Sequence, residues 1–322
     1  MDISSVGQKI KSKINQANNI LLVAHQQPDA DALGSLMAFS EWLASLNKSH
    51  VRFCLDQPRT NLLWLLKFEP LVTDHNFLAS RDFDLAIILD SGDLAYAGAA
   101  DLLASLPRKP FIINIDHHST NQHFGDINLV DSNAVSTTEI IYQLFDFLQL
   151  NISANLANAL LAGIIYDTYN FTNPNTTHQS LEISSKLLLH GAQLRQVSDS
   201  ILKTKSVDIL KVWGKILVRL NYNKEFDIAT TVITKEDTLG NLTESEVTEG
   251  VANFLNNLTG VKAAMILQEL GSGFIKGSLR TNNDLIDVSK LARILGGGGH
   301  KKAAGFKIKG KLAKTEGSWK IV

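Results

Sequence analysis

The chain has 322 residues, 44% of them hydrophobic, with a net charge of -1, which excludes a disordered or fibrous chain and suits roughly two folded domains. It has no run of about 18 apolar residues, and Met1-Asp2-Ile3-Ser4-Ser5 lacks the layout of a signal peptide, so a cytoplasmic protein without a membrane span is expected. Its single cysteine, Cys54, excludes an internal disulfide and a thiolate cluster, and within the mainly apolar run 51–55 it reads as core.

Ile3, Val6, Ile10 and Ile14 stand three and four apart, the spacing of an amphipathic helix over residues 1–18. Three short apolar runs follow, each suited to a buried strand and each ending in ionisable groups. They are Ile20 to Ala24 before His25, Leu85 to Leu89 before Asp90, and Phe111 to Ile115 before Asp116-His117-His118. Helical patterns over 32–46 and 94–106 follow the first two, and another over 136–148 follows the short run 127–130. Strands alternating with helices predict an α/β fold with a doubly wound, mainly parallel sheet. Ligands of such sheets sit beyond the carboxyl ends of the strands.

Residues 155–166 and 176–189 are again helical in pattern, and 193–220 continue so with polar interruptions. A smaller α/β unit then begins: strand-like 226–233, helical 244–258, strands 262–270 and 274–279, helical 285–295, and finally Gly296-Gly297-Gly298-Gly299-His300. The predicted organisation is a first domain over 1–195, a helical linker over 196–220 and a second domain over 221–322. Charge divides along the same line, because residues 271–322 hold eleven Lys or Arg against three Asp or Glu. Taken alone, that basic tail reads as a solvated face. Beside an acidic body loaded with divalent cations it favours phosphate-bearing partners.

The turn His25-Gln26-Gln27-Pro28-Asp29-Ala30-Asp31 places one imidazole and two carboxylates between a strand and a helix, and Gly34-Ser35 leaves room for a backbone or a phosphate. A helix cap explains one Asp there, but neither the second nor His25. Asp167 closes an otherwise apolar helical pattern. Five converging carboxylates would repel one another and resist burial, so Asp29, Asp31, Asp90, Asp116 and Asp167 point to divalent cations. Mixed imidazole and carboxylate donors suit Mn²⁺, with Zn²⁺, Fe²⁺, Co²⁺ or, less naturally, Mg²⁺ as alternatives. The glycine run, with Arg280 before it and His300-Lys301-Lys302 after it, reads as a nest of backbone N–H groups with cationic walls. Tyr169 and Phe171 suit either base stacking or core packing.

These residues resemble the motifs of the DHH phosphoesterase family, whose name repeats Asp116-His117-His118. The likeness runs through His25 to Ser35, Asp90-Ser91-Gly92-Asp93, the triplet itself and Tyr166-Asp167-Thr168. Gly277-Ser278-Leu279-Arg280 and Gly296 to Phe306 resemble the nucleic-acid-binding domain that accompanies the family. The resemblance implies two divalent metal ions, Mn²⁺ foremost, with His25, Asp29 and Asp90 on one and Asp31, Asp90, His117 and Asp167 on the other. Asp90 bridges them. It implies catalytic roles for Asp90, His118 and Asp116, with His118 facing the substrate phosphate and Asp116 orienting imidazoles. Substrate binding falls to Arg280, Gly297, Gly298, Gly299, His300 and Lys301.

Length and domain order are most similar to the branch of the family that hydrolyses very short RNA oligonucleotides and 3'-phosphoadenosine 5'-phosphate (pAp). Those substrates are the implied partners, and a homodimer stays open. Cleavage of cyclic dinucleotides, or of the linear dinucleotide pApA, is the alternative. Tyr169 stands where relatives often have glycine, which leaves the pocket shape beside the fourth motif open.

Overall fold

In the computed structural model of the chain, which describes residues 3–66, 71–202, 206–238, 251–255, 258–270, 273–299, 301–315 and 318–322, two compact units appear, Met1–Thr204 and Lys205–Val322. The first unit is built on β1 (Asn19–Ala24), β2 (Ser49–Phe53), β3 (Leu85–Leu89), β4 (Phe111–Asp116) and β5 (Ile127–Val130). They lie in the order β2-β1-β3-β4-β5, and every neighbouring pair is parallel. All five residues of β3 are buried. A strand covered on both faces needs an apolar side chain at every position, hence the unbroken Leu-Ala-Ile-Ile-Leu.

One face of this sheet, through Ile20, Leu22, Ile87 and Leu89, packs on α1 (Ile3–Gln16), α2 (Ala30–Ser45), α5 (Thr137–Phe147) and α6 (Ala154–Asp167). The other face, through Leu21, Val23, Ala86 and Ile88, packs on Leu78 of α3 (His75–Ala79) and on Leu102 and Leu103 of α4 (Ala100–Ser105). β1 has β2 on one side and β3 on the other, so the order of strand addition reverses there. A crevice opens beyond the carboxyl ends at such a reversal.

Two local expectations change. The helix predicted over 94–106 forms only over Ala100–Ser105, because the Asp93 carboxylate accepts from Tyr96 N at 2.7 Å and Gly98 takes φ 62, which turns the chain first. The room left by Gly34 is filled by backbone rather than by phosphate: a Cβ there would meet the Ala159 carbonyl of α6 at 2.5 Å.

The helical stretch after α7 (His178–Leu189) forms α8 (Leu194–Leu202) and α9 (Val207–Val218). α8 adds Val197 and Ile201 to the core of the first unit, and α9 adds Val212 and Ile216 to that of the second. In the second unit a six-stranded sheet runs β10 (Gly298–Gly299), β11 (Ala303–Lys309), β9 (Phe274–Arg280), β8 (Ala263–Leu270), β7 (Ile228–Ile233), β6 (Asn221–Asn223). Its β7–β8 pair is parallel and its other pairs are antiparallel. Val251–Leu255 is the described part of the helix expected over 244–258, and the hairpin β12 (Leu312–Thr315) and β13 (Ser318–Ile321) ends the chain. Among the described residues no helix is long and apolar enough to cross a membrane.

Candidate metal centre

β1 ends one residue before His25, and α2 starts at Ala30 because Asp29 caps it. Asp29 Oδ1 accepts from Asp31 N at 2.9 Å and from Ala32 N at 3.1 Å. Capping uses one oxygen, and Oδ2 stands 3.7 Å from His25 Nε2, so cap and ligand are compatible in one residue. Cys54 is fully buried, and its Sγ donates to the His25 carbonyl at 2.9 Å. Burial pushes its thiol up to about 11, which keeps it protonated as a prop for the His25 backbone. The His25 ring stacks on Tyr96, with centroids 5.1 Å apart and planes 21° apart. No spacing in the sequence pointed to Tyr96.

Asp90 follows β3 with φ 58, a left-handed conformation that Asp tolerates better than most residues. It is 2% exposed, and its two oxygens face two different imidazoles. Oδ2 lies 3.4 Å from His25 Nε2 and Oδ1 lies 3.7 Å from His117 Nε2. Oδ1 also accepts from Thr137 Oγ1 at 2.9 Å.

Asp31, fully buried, is gripped by the N-terminus of α5. It accepts from Thr137 N at 2.7 Å, Thr138 N at 2.9 Å and Thr138 Oγ1 at 2.7 Å. The helix dipole and these donors suit a carboxylate. Among the described residues Oδ2 takes only the Thr137 N–H, which leaves a lone pair for a cation. Gly163 of α6 makes the space, since a Cβ there would overlap Asp31 Oδ1 and Thr138 Oγ1. Thr137 and Thr138 were missed by sequence reasoning, although Ser136-Thr137-Thr138-Glu139, a polar quartet opening an apolar helix and buried throughout, was a usable signal.

Asp167 closes α6, and its Oδ2 is buried with no hydrogen-bond partner among the described residues, 3.5 Å from His117 Nε2. Asp116 stands apart from this set. It accepts from His118 Nδ1 and from Asn121 Nδ2, each at 2.7 Å, and so orients His118, whose side chain is 37% exposed.

Three groups therefore have donor atoms within 4.8 Å of one another: His25, Asp29 and Asp90; Asp31, His117 and Asp167; and Asp90, His117 and His118. Donors sharing one ion at ordinary bond lengths lie about 3–3.5 Å apart. The observed separations are near this. Electrostatics favours a cation as well. Burial raises both Asp31 and Asp167 well above the usual carboxylate range, reinforced by Asp90 and Asp29 at Asp31 and by Asp31, Asp29 and Asp90 at Asp167. Burial opposes charging His25, yet hydrogen bonds to Asp29 and Asp90 outweigh it and hold that imidazole protonated far above its ordinary value. Asp90 is likewise opposed by burial but held below the carboxylate range by His25, His117 and His118. Bare, the cluster retains protons to limit its own repulsion; a divalent cation can replace them. The orphaned Asp167 oxygen and the imidazole–carboxylate donor set fit such an ion.

Thr137→Val keeps the side-chain shape and removes the hydroxyl that holds Asp90. Mn²⁺ affinity, measured by calorimetric titration, is expected to fall about 10–100-fold, as when a group supporting a metal ligand is lost. Unchanged affinity would show that the hydroxyl does not position Asp90.

In the second unit, Arg280 ends β9 half-buried, its Nη1 donating to the Leu279 carbonyl at 3.0 Å and its pKa lowered by burial. The glycine run differs from the nest of free amides expected from its sequence. Gly296 N and Gly297 N bond to the Arg293 and Ala292 carbonyls at 3.0 and 2.8 Å, ending the helix Val288–Ile294, while Gly298 and Gly299 pair with Gly305 and Ala304. Gly297 is glycine because a Cβ would press on the Gly305 carbonyl and the Phe306 backbone. Lys301 is exposed, Lys302 pairs with Asp284 at 2.6 Å, and His300 lies outside the described residues.

Comparison with known proteins adds to this geometry. Residues 19–164 match the N-terminal domain of the DHH family and residues 228–317 match the DHHA1 domain. The chain is 28% identical over 293 residues to the bifunctional oligoribonuclease and PAP phosphatase NrnA of Thermus thermophilus, covering 90% of this chain and 84% of that protein. It is 28% identical over 308 residues to the protein of the same name from Bacillus subtilis, covering 92% and 91%. The crystal structure of an exopolyphosphatase-related protein from Bacteroides fragilis shares its fold, with a TM-score of 0.85 over 97% of this chain and 92% of that one at 24% identity. With both matched domains in order and a parallel sheet gathering the DHH triplet with the carboxylates of three other segments, the chain belongs to the DHH phosphoesterase family.

Proposed function

We propose that the chain is a two-metal phosphoesterase that hydrolyses very short RNA oligonucleotides and pAp. The observation that carries the metal reading is Asp90, a buried carboxylate whose two oxygens face His25 on one side and His117 on the other. In this reading His25, Asp29 and Asp90 hold one ion and Asp31, Asp90, His117 and Asp167 hold the second, with Mn²⁺ best suited to the donors. Bound divalent ions supply a nucleophilic hydroxide near neutral pH and offset charge on the phosphoryl group.

The protein's own groups do the rest. Asp116 takes the Nδ1 side of His118, so the other ring nitrogen of this half-exposed imidazole is left to meet a phosphate. Burial disfavours the charge on His118, but the hydrogen bond to Asp116 together with the charges of Asp90, Asp116 and Asp31 outweighs it and lifts its pKa to about 9 in the bare cluster. The first turns of α2 and α5 fix Asp29 and Asp31 before substrate arrives, so little reorganisation is left to the reaction. In the basic second unit, Arg280, Gly297, Gly298, Gly299, His300 and Lys301 are assigned to the far end of the substrate, the glycines through close backbone approach rather than as a nest of free amides. The proposal keeps a DHH domain over 1–195, a linker over 196–220, a nucleotide-binding domain over 221–322 and a cytoplasmic setting. The substrates are supported by the names of the Thermus thermophilus and Bacillus subtilis relatives.

The test offers purified protein with Mn²⁺ a labelled RNA dinucleotide, a long RNA, pAp and cyclic di-AMP in parallel. Fast turnover of the dinucleotide and pAp with slow turnover of long RNA is expected, whereas a preference for cyclic di-AMP would move the substrate class. Arg280→Ala should lower kcat/KM on the dinucleotide about tenfold to a hundredfold, the worth of one charge-assisted contact. Bound metal should be unchanged; its loss would place Arg280 in the metal centre.

A further inference from the structure

The chain leaves α6 through three consecutive non-glycine residues in the left-handed region: Tyr169 with φ 47, Asn170 with φ 57 and Phe171 with φ 63. One such residue is uncommon, and for a bulky side chain it is an outlier. The turn is firmly held. Tyr169 N and Asn170 N bond to the Tyr166 and Ile165 carbonyls at 3.1 and 2.8 Å, and Phe171 N bonds to Thr168 Oγ1 at 3.1 Å.

Two of the three have a structural reason for their side chains. Phe171 packs against the main core of the first unit. Asn170 is a type that visits this region routinely, and its Oδ1 accepts from Ser198 Oγ at 3.4 Å. Tyr169 has neither. It is 40% exposed, and among the described residues its ring and hydroxyl have no stacking, cation or hydrogen-bond partner. Glycine would satisfy this backbone without steric cost. Strain that is held in place by the surrounding fold, at a residue whose side chain joins neither a core cluster nor a hydrogen bond among the described residues, indicates a function for that side chain.

The position suggests which function. Tyr169 lies two peptide units beyond Asp167, so its Cα is at most about 7.6 Å from that of Asp167. Asp167 carries the buried carboxylate oxygen that lacks a hydrogen-bond partner. We propose that Tyr169 contacts substrate, its ring stacking on the nucleobase of the nucleotide whose phosphate is held beside Asp167, so that nucleotides are preferred over phosphoesters without a base. The proposal rests on the phosphoesterase reading above. Every base offers a π-face, so this contact selects for a base without choosing among bases.

Three variants separate the ring from the strain. Tyr169→Phe keeps both, Tyr169→Ala keeps the strain and removes the ring, and Tyr169→Gly removes both. On an RNA dinucleotide, Tyr169→Phe should stay within about twofold of the wild type, while Tyr169→Ala and Tyr169→Gly lose about five- to a hundredfold in kcat/KM, mainly through KM, as for the loss of one stacked base. Tyr169→Gly should melt about 1–3 °C higher than Tyr169→Ala, with bound Mn²⁺ equal in all three. Undiminished kcat/KM in Tyr169→Gly overturns the proposal, as does loss of metal from it, which would make the turn a support for Asp167. A loss in Tyr169→Phe equal to that in Tyr169→Ala also overturns it, by assigning the effect to the hydroxyl. Equilibrium dialysis of AMP against the same proteins should rank them in the same order. That readout needs no turnover, so a wild type inactive on every nucleotide counts against the phosphoesterase reading while AMP binding still decides the role of Tyr169.

Discussion

Asp90→Asn protein, purified in the presence of Mn²⁺, is expected to lose metal from both proposed positions together and to lose at least about a thousandfold in kcat/KM, several kcal/mol of transition-state charge stabilisation. One carboxylate serves two sides of the cluster. Oδ2 faces His25 at 3.4 Å, Oδ1 faces His117 at 3.7 Å, and the residue is 2% exposed, so solvent cannot replace the missing charge. Asn has nearly the same volume, and its oxygen can still accept from Thr137 Oγ1, so the fold should survive by circular dichroism. Metal analysis showing both ions at wild-type occupancy would remove Asp90 from the bridging role.

Gly163→Ala should be nearly as damaging although it adds one methyl group to a helix. The new Cβ would overlap Asp31 Oδ1 and Thr138 Oγ1. Neither neighbour has room to retreat, because Asp31 is held by three hydrogen bonds from the first turn of α5 and all these groups are buried. Overpacking of this kind costs about 1–3 kcal/mol of stability. Moving a reacting group by about an ångström costs about a hundredfold in rate. Thermal melting and turnover, measured together, check both effects. A Gly163→Ala protein with wild-type stability and rate would show that Asp31 can move without consequence.

The parts of the sheet that sequence made legible were those whose burial is uniform. β1, β3 and β4 are covered on both faces, so the runs of β1 and β3 are unbroken, that of β4 is interrupted only by Asn114, whose amide donates to Asn121 and Asn128, and each ends visibly at an ionisable residue. β2 was not legible as a strand. Its Ser-His-Val-Arg-Phe lies at the sheet edge and includes Arg52, which is buried at 3% exposure and whose guanidinium faces the Leu66 carbonyl at 3.3 Å. β11 was hidden for another reason. Ala303, Ala304 and Gly305 have low strand propensity and owe their conformation to pairing with β9.

The residues proposed as ligands were recognisable because metal chemistry demands particular side chains. Thr137 and Thr138 reach Asp31 across 106 and 107 residues of sequence, and only the tertiary structure brings them together. The amides of Gly296 and Gly297 show the converse. A glycine run announces unusual backbone, but whether its N–H groups face a ligand or close a helix depends on what precedes it, here the carbonyls of Arg293 and Ala292.

The parallel sheet has one further consequence. Because parallel strands need long crossovers, the three groups that could hold ions draw on positions as far apart in sequence as His25 and Asp167. Ions held by the proposed ligands would act as clips closing very long loops, and closure entropy grows with the logarithm of loop length. Binding that is confined to the native state adds its free energy to folding. Divalent cations would then be part of what keeps the first unit folded, and a chelator would loosen the chain as well as silence it.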